Sequence, residues 1–216
     1  MRPPVCGICG FPESADAHDS CGGQEEDDSP ITSMRFLFRM GPQLSTLIHG
    51  FKYRHMRRNI RFLCAYLRYR PDMREWSKKF DVMVPVPIHP TRKRERGYNQ
   101  AAEIALDASA YLGLPVLKDA LRRVRATLSQ TRLNRLERGK NLDNAFVCGD
   151  PDAVRGKRVL VVDDVYTTGA TVGRCAELLL LAGAASVGVL ALARVETDGD
   201  LDDFELEMEA VLSYAG

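Results

Sequence analysis

Apolar residues along this chain recur with two different periods, and the alternation between them predicts the fold. From Pro42 to about Tyr69, Leu44, Leu47, Ile48 and Phe51, then Leu63, Tyr66 and Leu67, return every three or four positions, the repeat of helix with one buried face. Asp81 to Val86 reads as a short buried strand, stopped by Pro85, Pro87 and Pro90. Asn99 to Leu112 returns to helical spacing, with Ile104, Ala105, Ala108, Tyr111 and Leu112 on one face and Gly113 as its end. Val159 to Val162 is continuous, mostly β-branched and apolar. Thr171 to Leu181 predicts a helix closed by Gly183, and Ser186 to Ala193 a further buried strand. A strand without a polar face must be covered on both sides, and such strands alternating with helices specify a parallel sheet. The predicted class is α/β, a parallel sheet flanked by helices. No internal repeat is present.

Three segments fall outside this pattern. Residues 1 to about 30 hold three of the six cysteines, the acidic run Glu25 to Asp28 and too few apolar residues for a core, so a metal is the obvious source of order. Residues 118–140 carry eight Arg and Lys among Leu121, Val124, Leu128, Leu133 and Leu136; a basic helix, a mobile loop, or both in succession fit equally. Beyond Glu196, Phe204, Leu206 and Met208 alternate with Glu205, Glu207 and Glu209, which suits an edge strand or an acidic tail. The expected organisation is a small module over 1–30, a main domain over 31–195, and the acidic segment 196–216.

Composition adds a class and charge adds a partner. A chain that is 45% hydrophobic and 27% charged is an ordinary globular protein. No apolar run reaches the roughly 18 to 20 residues of a bilayer span, so no membrane insertion is expected. The opening MRPPVCGICG lacks the apolar core of a signal peptide, which makes the cytoplasm the default location. The net charge of +1 hides a segregation: residues 35–140 hold 24 basic against 8 acidic side chains, the remainder 6 against 21. Two readings stand. One is a solvated basic face partly neutralised by the acidic ends of the same chain. The other is a site for a polyanion, which the eleven aromatics interleaved through the basic interval favour, because charge plus stacking is what single-stranded DNA requires. Tyr53 and Tyr98 are candidate stacking platforms.

The most specific chemistry lies at residues 159–171, Val-Leu-Val-Val-Asp-Asp-Val-Tyr-Thr-Thr-Gly-Ala-Thr. Asp163 and Asp164 stand at the C-terminal end of a buried strand, where open α/β sheets bind ligands. Their acceptor oxygens suit the 2′- and 3′-hydroxyls of a ribose. Thr167, Thr168, Gly169, Ala170 and Thr171 then form a turn into a helix. Its free N–H groups, dipole and hydroxyls make a cradle for a 5′-phosphate. An apolar strand ending in Asp-Asp also occurs in receiver domains and Walker B strands; the Thr-Thr-Gly-Ala-Thr that follows removes most of that ambiguity, and an acidic strand end with a polar helix cap is the plain structural alternative.

This segment resembles the 5-phosphoribosyl-1-pyrophosphate (PRPP) motif of type I phosphoribosyltransferases. Phe51-Lys52-Tyr53, Val84 to Pro90, Arg96-Gly97-Tyr98-Asn99-Gln100-Ala101, and Gln130, Arg138, Asn141-Leu142 and Ala145-Phe146 further resemble the ComF family of ComFC-type competence proteins, across most of residues 5–195. The resemblance implies a phosphoribosyltransferase-like domain, an N-terminal zinc site and a role in DNA uptake for natural transformation. It also implies DNA-uptake helicases and recombination mediators as partners. Three activities remain open under it: a non-catalytic DNA-uptake protein, an enzyme transferring phosphoribose to a nitrogen nucleophile, and a sensor of PRPP or a nucleotide. Catalysis would place Mg²⁺ between ribose hydroxyls and pyrophosphate. Arg92, Arg94 and Arg96, in the loop after Val86, are then the candidate pyrophosphate donors.

Cys6-x2-Cys9 and His18-x2-Cys21 form two pairs with zinc-ligand spacing, and His18 stands where the family usually has cysteine. Cys64, Cys148 and Cys175 read as small core residues. Elemental analysis of protein purified without added metal should find one zinc per chain, and Cys9→Ser should lose it. Metal retained after that change, or none at the outset, contradicts the assignment.

Overall fold

The computed structural model describes residues 30–53, 57–125 and 145–195. Cys6, Cys9, His18 and Cys21, most of the basic segment after residue 125, and the acidic segment after residue 195 lie outside the described residues. The elements are β1 (Ser33–Arg39), α1 (Pro42–Tyr53), α2 (Arg57–Ala65) with a 3-10 turn (Tyr66–Tyr69), α3 (Pro71–Ser77), β2 (Val82–Pro85), α4 (Pro90–Arg96), α5 (Gln100–Leu112), β3 (Leu121–Arg123), β4 (Phe146–Cys148), α6 (Pro151–Val154), β5 (Arg158–Tyr166), α7 (Ala170–Leu181) and β6 (Ser186–Arg194).

Four strands form one sheet in the order β1-β6-β5-β2, every pair parallel. Its β2 edge is extended by residues 115–117: Met83 N–H donates to the Pro115 carbonyl and Leu117 N–H to the Met83 carbonyl, both at 2.8 Å. The period of two along β5 divides the core. Leu160 and Val162 pack with Ile60, Leu63, Met73, Trp76, Ile104 and Ala108 under α2, α3 and α5. Val159 and Val161 pack with Val172, Cys175, Leu179, Leu121 and Phe146 under α7 and the β3–β4 pair. Each such side chain taken fully from water contributes about 1.5–3 kcal/mol, so both faces of β5 hold the fold together. Packing leaves no room in mid-β6, where a Cβ on Gly188 would collide with the Phe80 ring. That ring meets Trp76 edge-on at 5.0 Å.

The parallel sheet flanked by helices agrees with the sequence pattern, and the differences have local causes. The helical stretch from Pro42 to Tyr69 is two helices and a 3-10 turn, ended where Pro71 starts α3 from its first helical position, the place proline tolerates best. β1 was not expected: Met34, Phe36 and Phe38 recur with a period of two, but Leu37 between them breaks the apolar–polar alternation, and the run adjoins a segment with no core. β5 continues through Tyr166, four residues past its apolar run, because β6 pairs with it to Arg194. Residues 121–123 are neither helix nor loop but a strand antiparallel to β4. The segment after Val86, expected as a loop, contains α4, capped by His89, whose Nδ1 accepts the Thr91 N–H at 3.3 Å. Cys64 and Cys175 are buried and Cys148 half-buried, in keeping with core roles. Burial pushes the Cys64 thiol up to about 12, which leaves it unreactive.

At the end of the sheet opposite Asp163, Asp81 fastens β2 to β5. Its carboxylate accepts the Arg158 backbone N–H at 2.8 Å, Arg158 Nε at 3.1 Å and Nη2 at 2.7 Å. These bonds hold the Asp81 carboxyl down to about 2. A depressed carboxylate contributes stability that is complete above its unfolded value, near 3.8, and lost as pH falls through its folded one. The stability difference between wild type and Asp81→Asn should therefore be constant above about pH 4 and shrink between pH 4 and 2, as followed by urea denaturation. A difference independent of pH across that window would remove the ion pair as its cause.

Candidate functional site

The site begins where β5 leaves the core. Val161 and Val162 are fully buried, and the strand then presents Asp163 and Asp164, both half-buried. Alternation sends the two carboxylates to opposite sides of the sheet. Asp163 lies on the side of α7 and the β3–β4 pair, within electrostatic range of Cys175 and Arg123. Asp164 lies on the side of α5, within range of Tyr98. Each carboxylate also accepts the next backbone amide: Asp163 Oδ1 from Asp164 N–H at 2.9 Å, and Asp164 Oδ1 from Val165 N–H at 2.8 Å. These bonds curl both side chains along the strand end and fix their orientation.

Thr167 to Thr171 follow as a half-buried turn into α7. Gly169 occupies the position before the helix with φ +76°, the left-handed region that suits glycine. It brings no capping side chain, and the Thr168 hydroxyl accepts the Ala170 N–H only at a long 3.5 Å. Space demands glycine as well. A Cβ at this position would lie 2.5 Å from Tyr166 Oη and 2.9 Å from Cζ. The Tyr166 ring is itself set edge-on against Phe36 of β1, with centroids 5.1 Å apart. The turn therefore rests on an aromatic floor and offers its main chain, with Thr167, Thr168 and Thr171, to whatever lies above. The weakly capped first turn of a twelve-residue helix is a natural anion site.

Cations stand on both sides of the carboxylates. Arg123, on β3, lies over the Phe146 ring at 5.2 Å. Burial and the neighbouring Arg92 lower its pKa, while Cys175 and Asp163 oppose the shift. On the other side, Arg57 of α2 sits 4.4 Å over the Tyr98 ring. Tyr98 is held up by burial and feels Arg57, Glu103, Arg96 and Asp164 in turn. The Arg96-Gly97-Tyr98-Asn99-Gln100 block has a clear local reason. Gly97, at φ +75°, ends α4, and Asn99 starts α5 by accepting Ala101 N–H at 3.1 Å. Asn99 also donates Nδ2–H to the Val86 carbonyl at 2.9 Å, tying this corner to the end of β2.

Of the candidate pyrophosphate donors, the four-residue spacing puts Arg92 and Arg96 on one half-buried face of α4. Arg94 lies on another face, exposed, with Nη2 donating to Thr91 Oγ1 at 3.4 Å. Arg123 is the guanidinium within electrostatic range of Asp163, with Arg92 beside it, while Arg57 and Arg96 share with Asp164 the neighbourhood of Tyr98. Tyr98 is buried under Arg57 and offers no face for stacking. Arg123 was hidden among eight similar charges; only its strand pairing with Phe146 distinguishes it.

A glycine turn into a helix after a parallel strand ending in two carboxylates, in a helix-flanked sheet, defines a type I phosphoribosyltransferase-like protein. The family described as phosphoribosyl transferase domain matches residues 96–208. The chain belongs to the competence protein F family, for it is 33% identical over 195 residues to competence protein F of Haemophilus influenzae, covering 88% of this chain and 85% of that one. It is 34% identical to the DNA utilization protein YhgH of Salmonella typhimurium, over 90% of this chain and 86% of its relative. The competence protein ComFC of Bacillus subtilis is 28% identical over 88% of this chain and 78% of its own length.

Gly169→Ala should be the most damaging single methyl in the site. Positive φ and the Tyr166 contact together should lower stability by about 1–3 kcal/mol in denaturant titration. A variant as stable as wild type would show that the turn relaxes freely.

Proposed function

We propose that this chain binds PRPP, or a closely related ribose phosphate, at Asp163, Asp164 and residues 167–171, and serves DNA uptake during natural transformation. The observation that carries the reading is the juxtaposition of two oriented carboxylates with a weakly capped, glycine-floored helix start. A 5′-phosphate would sit on the main chain of the turn, with hydroxyls of Thr167, Thr168 and Thr171 beside it. The ribose hydroxyls would face the carboxylate end of β5. Arg123 and Arg92 on one side and Arg96 on the other would supply charge for a pyrophosphate; Arg94 would reach it only from the outer face of α4.

Among the described residues no group of three or more His, Cys, Asp and Glu side chains is placed to hold a metal. Because Asp163 and Asp164 point to opposite sides of the sheet, one of them rather than both would hold Mg²⁺, which commonly takes one or two carboxylates from the protein and the rest of its shell from phosphate oxygens and water. The ion would supply charge neutralisation for the leaving pyrophosphate. Zinc belongs to Cys6, Cys9, His18 and Cys21 in the N-terminal segment, in a structural role. The relatives named for competence and DNA utilization support the DNA-uptake role, and the basic interval supports contact with single-stranded DNA.

Transfer chemistry is the second reading, favoured by the intact Asp163–Asp164 pair. It would break the bond from ribose C1 to pyrophosphate through an oxocarbenium-like state and form a bond to a nitrogen nucleophile, with the chain contributing positioning and electrostatics. Calorimetry with PRPP and Mg²⁺ tests the first reading, and pyrophosphate release with a panel of nucleobases the second. Asp163→Asn with Asp164→Asn should weaken PRPP binding at least about tenfold while costing under about 1 kcal/mol of stability, because the amide oxygen can still accept the backbone N–H. Unchanged binding rejects the site; binding without pyrophosphate release leaves a sensor or a recruiting protein.

A further inference from the structure

The outer face of α2 and its 3-10 turn is assembled from residues the fold itself leaves unused. Ile60, Leu63, Cys64 and Leu67 turn inward and are buried. The opposite side carries Arg58, Phe62, Tyr66 and Tyr69 at spacings of four, four and three residues, which places them in one row. Phe62 is 72% exposed, Tyr66 39% and Tyr69 77%. Single apolar residues on a surface need no explanation, but three aromatic rings in one row form a patch. Tyr66 is held in place by Phe38, with ring centroids 5.1 Å apart, so part of the row is rigid before any partner arrives. A second row alongside contains Arg57, Arg61 and Arg68, all exposed. Arg57 lies over Tyr98, Arg68 lies over Tyr111 at 5.4 Å, and Asp107 of α5 is within electrostatic range of Arg61. From residue 57 to 71 the chain has no acidic side chain.

We infer that this face is a single-stranded DNA platform, with bases stacking on Phe62, Tyr66 and Tyr69 and phosphates running along Arg58, Arg61 and Arg68. The inference rests on the reading of this chain as one that contacts single-stranded DNA, and it assigns that contact a surface. Rings separated by four residues are about 6 Å apart along a helix, enough to separate successive bases of an extended strand. Stacking is indifferent to base identity because every base has a π-face, so the platform is sequence-tolerant. A row that was purely apolar would fit a second copy of this chain. The flanking arginines and the absence of carboxylates between 57 and 71 favour a polyanion instead. Arg57 connects the platform to the ribose-phosphate site, since the ring beneath it, Tyr98, also faces Asp164.

The test uses the full chain and a fluorescently labelled oligothymidylate, read by anisotropy across a salt series. Wild type should bind at low salt. Phe62→Ala with Tyr69→Ala, both at exposed positions, should weaken binding on the order of tenfold or more per ring, with the salt slope retained. Phe62→Trp should bind as wild type does. Arg58→Ala with Arg68→Ala should flatten the slope of log K against log salt by about 0.7 for each phosphate that is no longer neutralised. If wild type binds and the two-ring variant binds equally, the platform is overturned while DNA binding elsewhere on the chain stands. No binding by wild type overturns DNA binding as a whole and the platform with it. Sedimentation showing a wild-type dimer that the two-ring variant splits would overturn the platform in favour of self-association. PRPP calorimetry on the same variants should be unchanged, which keeps the ribose-phosphate reading separate.

Discussion

Everything in this molecule depends on β5 being covered on both faces. A strand in that position admits no polar side chain until it leaves the core, so the first carboxylates it carries must stand at its end, and β5 carries Asp163 and Asp164 there. The same burial makes the strand rigid, and a rigid strand can deliver a turn and a helix N-terminus to a fixed place beside those carboxylates. The candidate site is thus the boundary of the core, drawn by where apolar residues stop.

The sheet's ends carry different kinds of charge. At one end Asp81 and Arg158 satisfy each other directly, at hydrogen-bond distance, and close that edge. At the other, Asp163 and Asp164 engage backbone amides, with Arg123 of β3 within range of Asp163 and Tyr98 within range of Asp164. Tyr98 and Arg57 join this end of β5 to α2, the guanidinium lying over a ring that is itself in range of Asp164.

Much of the architecture was legible in the sequence because its decisive elements are long and strongly patterned. The Val159 to Val162 run, the α5 face of Ile104, Ala105 and Ala108, and the β6 run each have one solution. The turn at Gly169 was legible too, since Thr-Thr-Gly-Ala-Thr after an acidic strand end has few other uses. What was not legible depends on neighbours distant in sequence. The extension of β5 to Tyr166 comes from β6, the strand character of Arg123 from Phe146, and the burial of Tyr98 from Arg57 in another helix. Opposite orientation of Asp163 and Asp164 was not legible for the same reason, because it follows from strand alternation only when β5 continues past them.

The β3–β4 pairing has a consequence of a polymeric kind. Arg123 opposite Phe146 brings together the two points at which the chain departs for, and returns from, residues 126–144. The ladder sets the distance between those two points by strand pairing alone, so the exit and the re-entry of the chain are fixed to each other before the residues between them are considered.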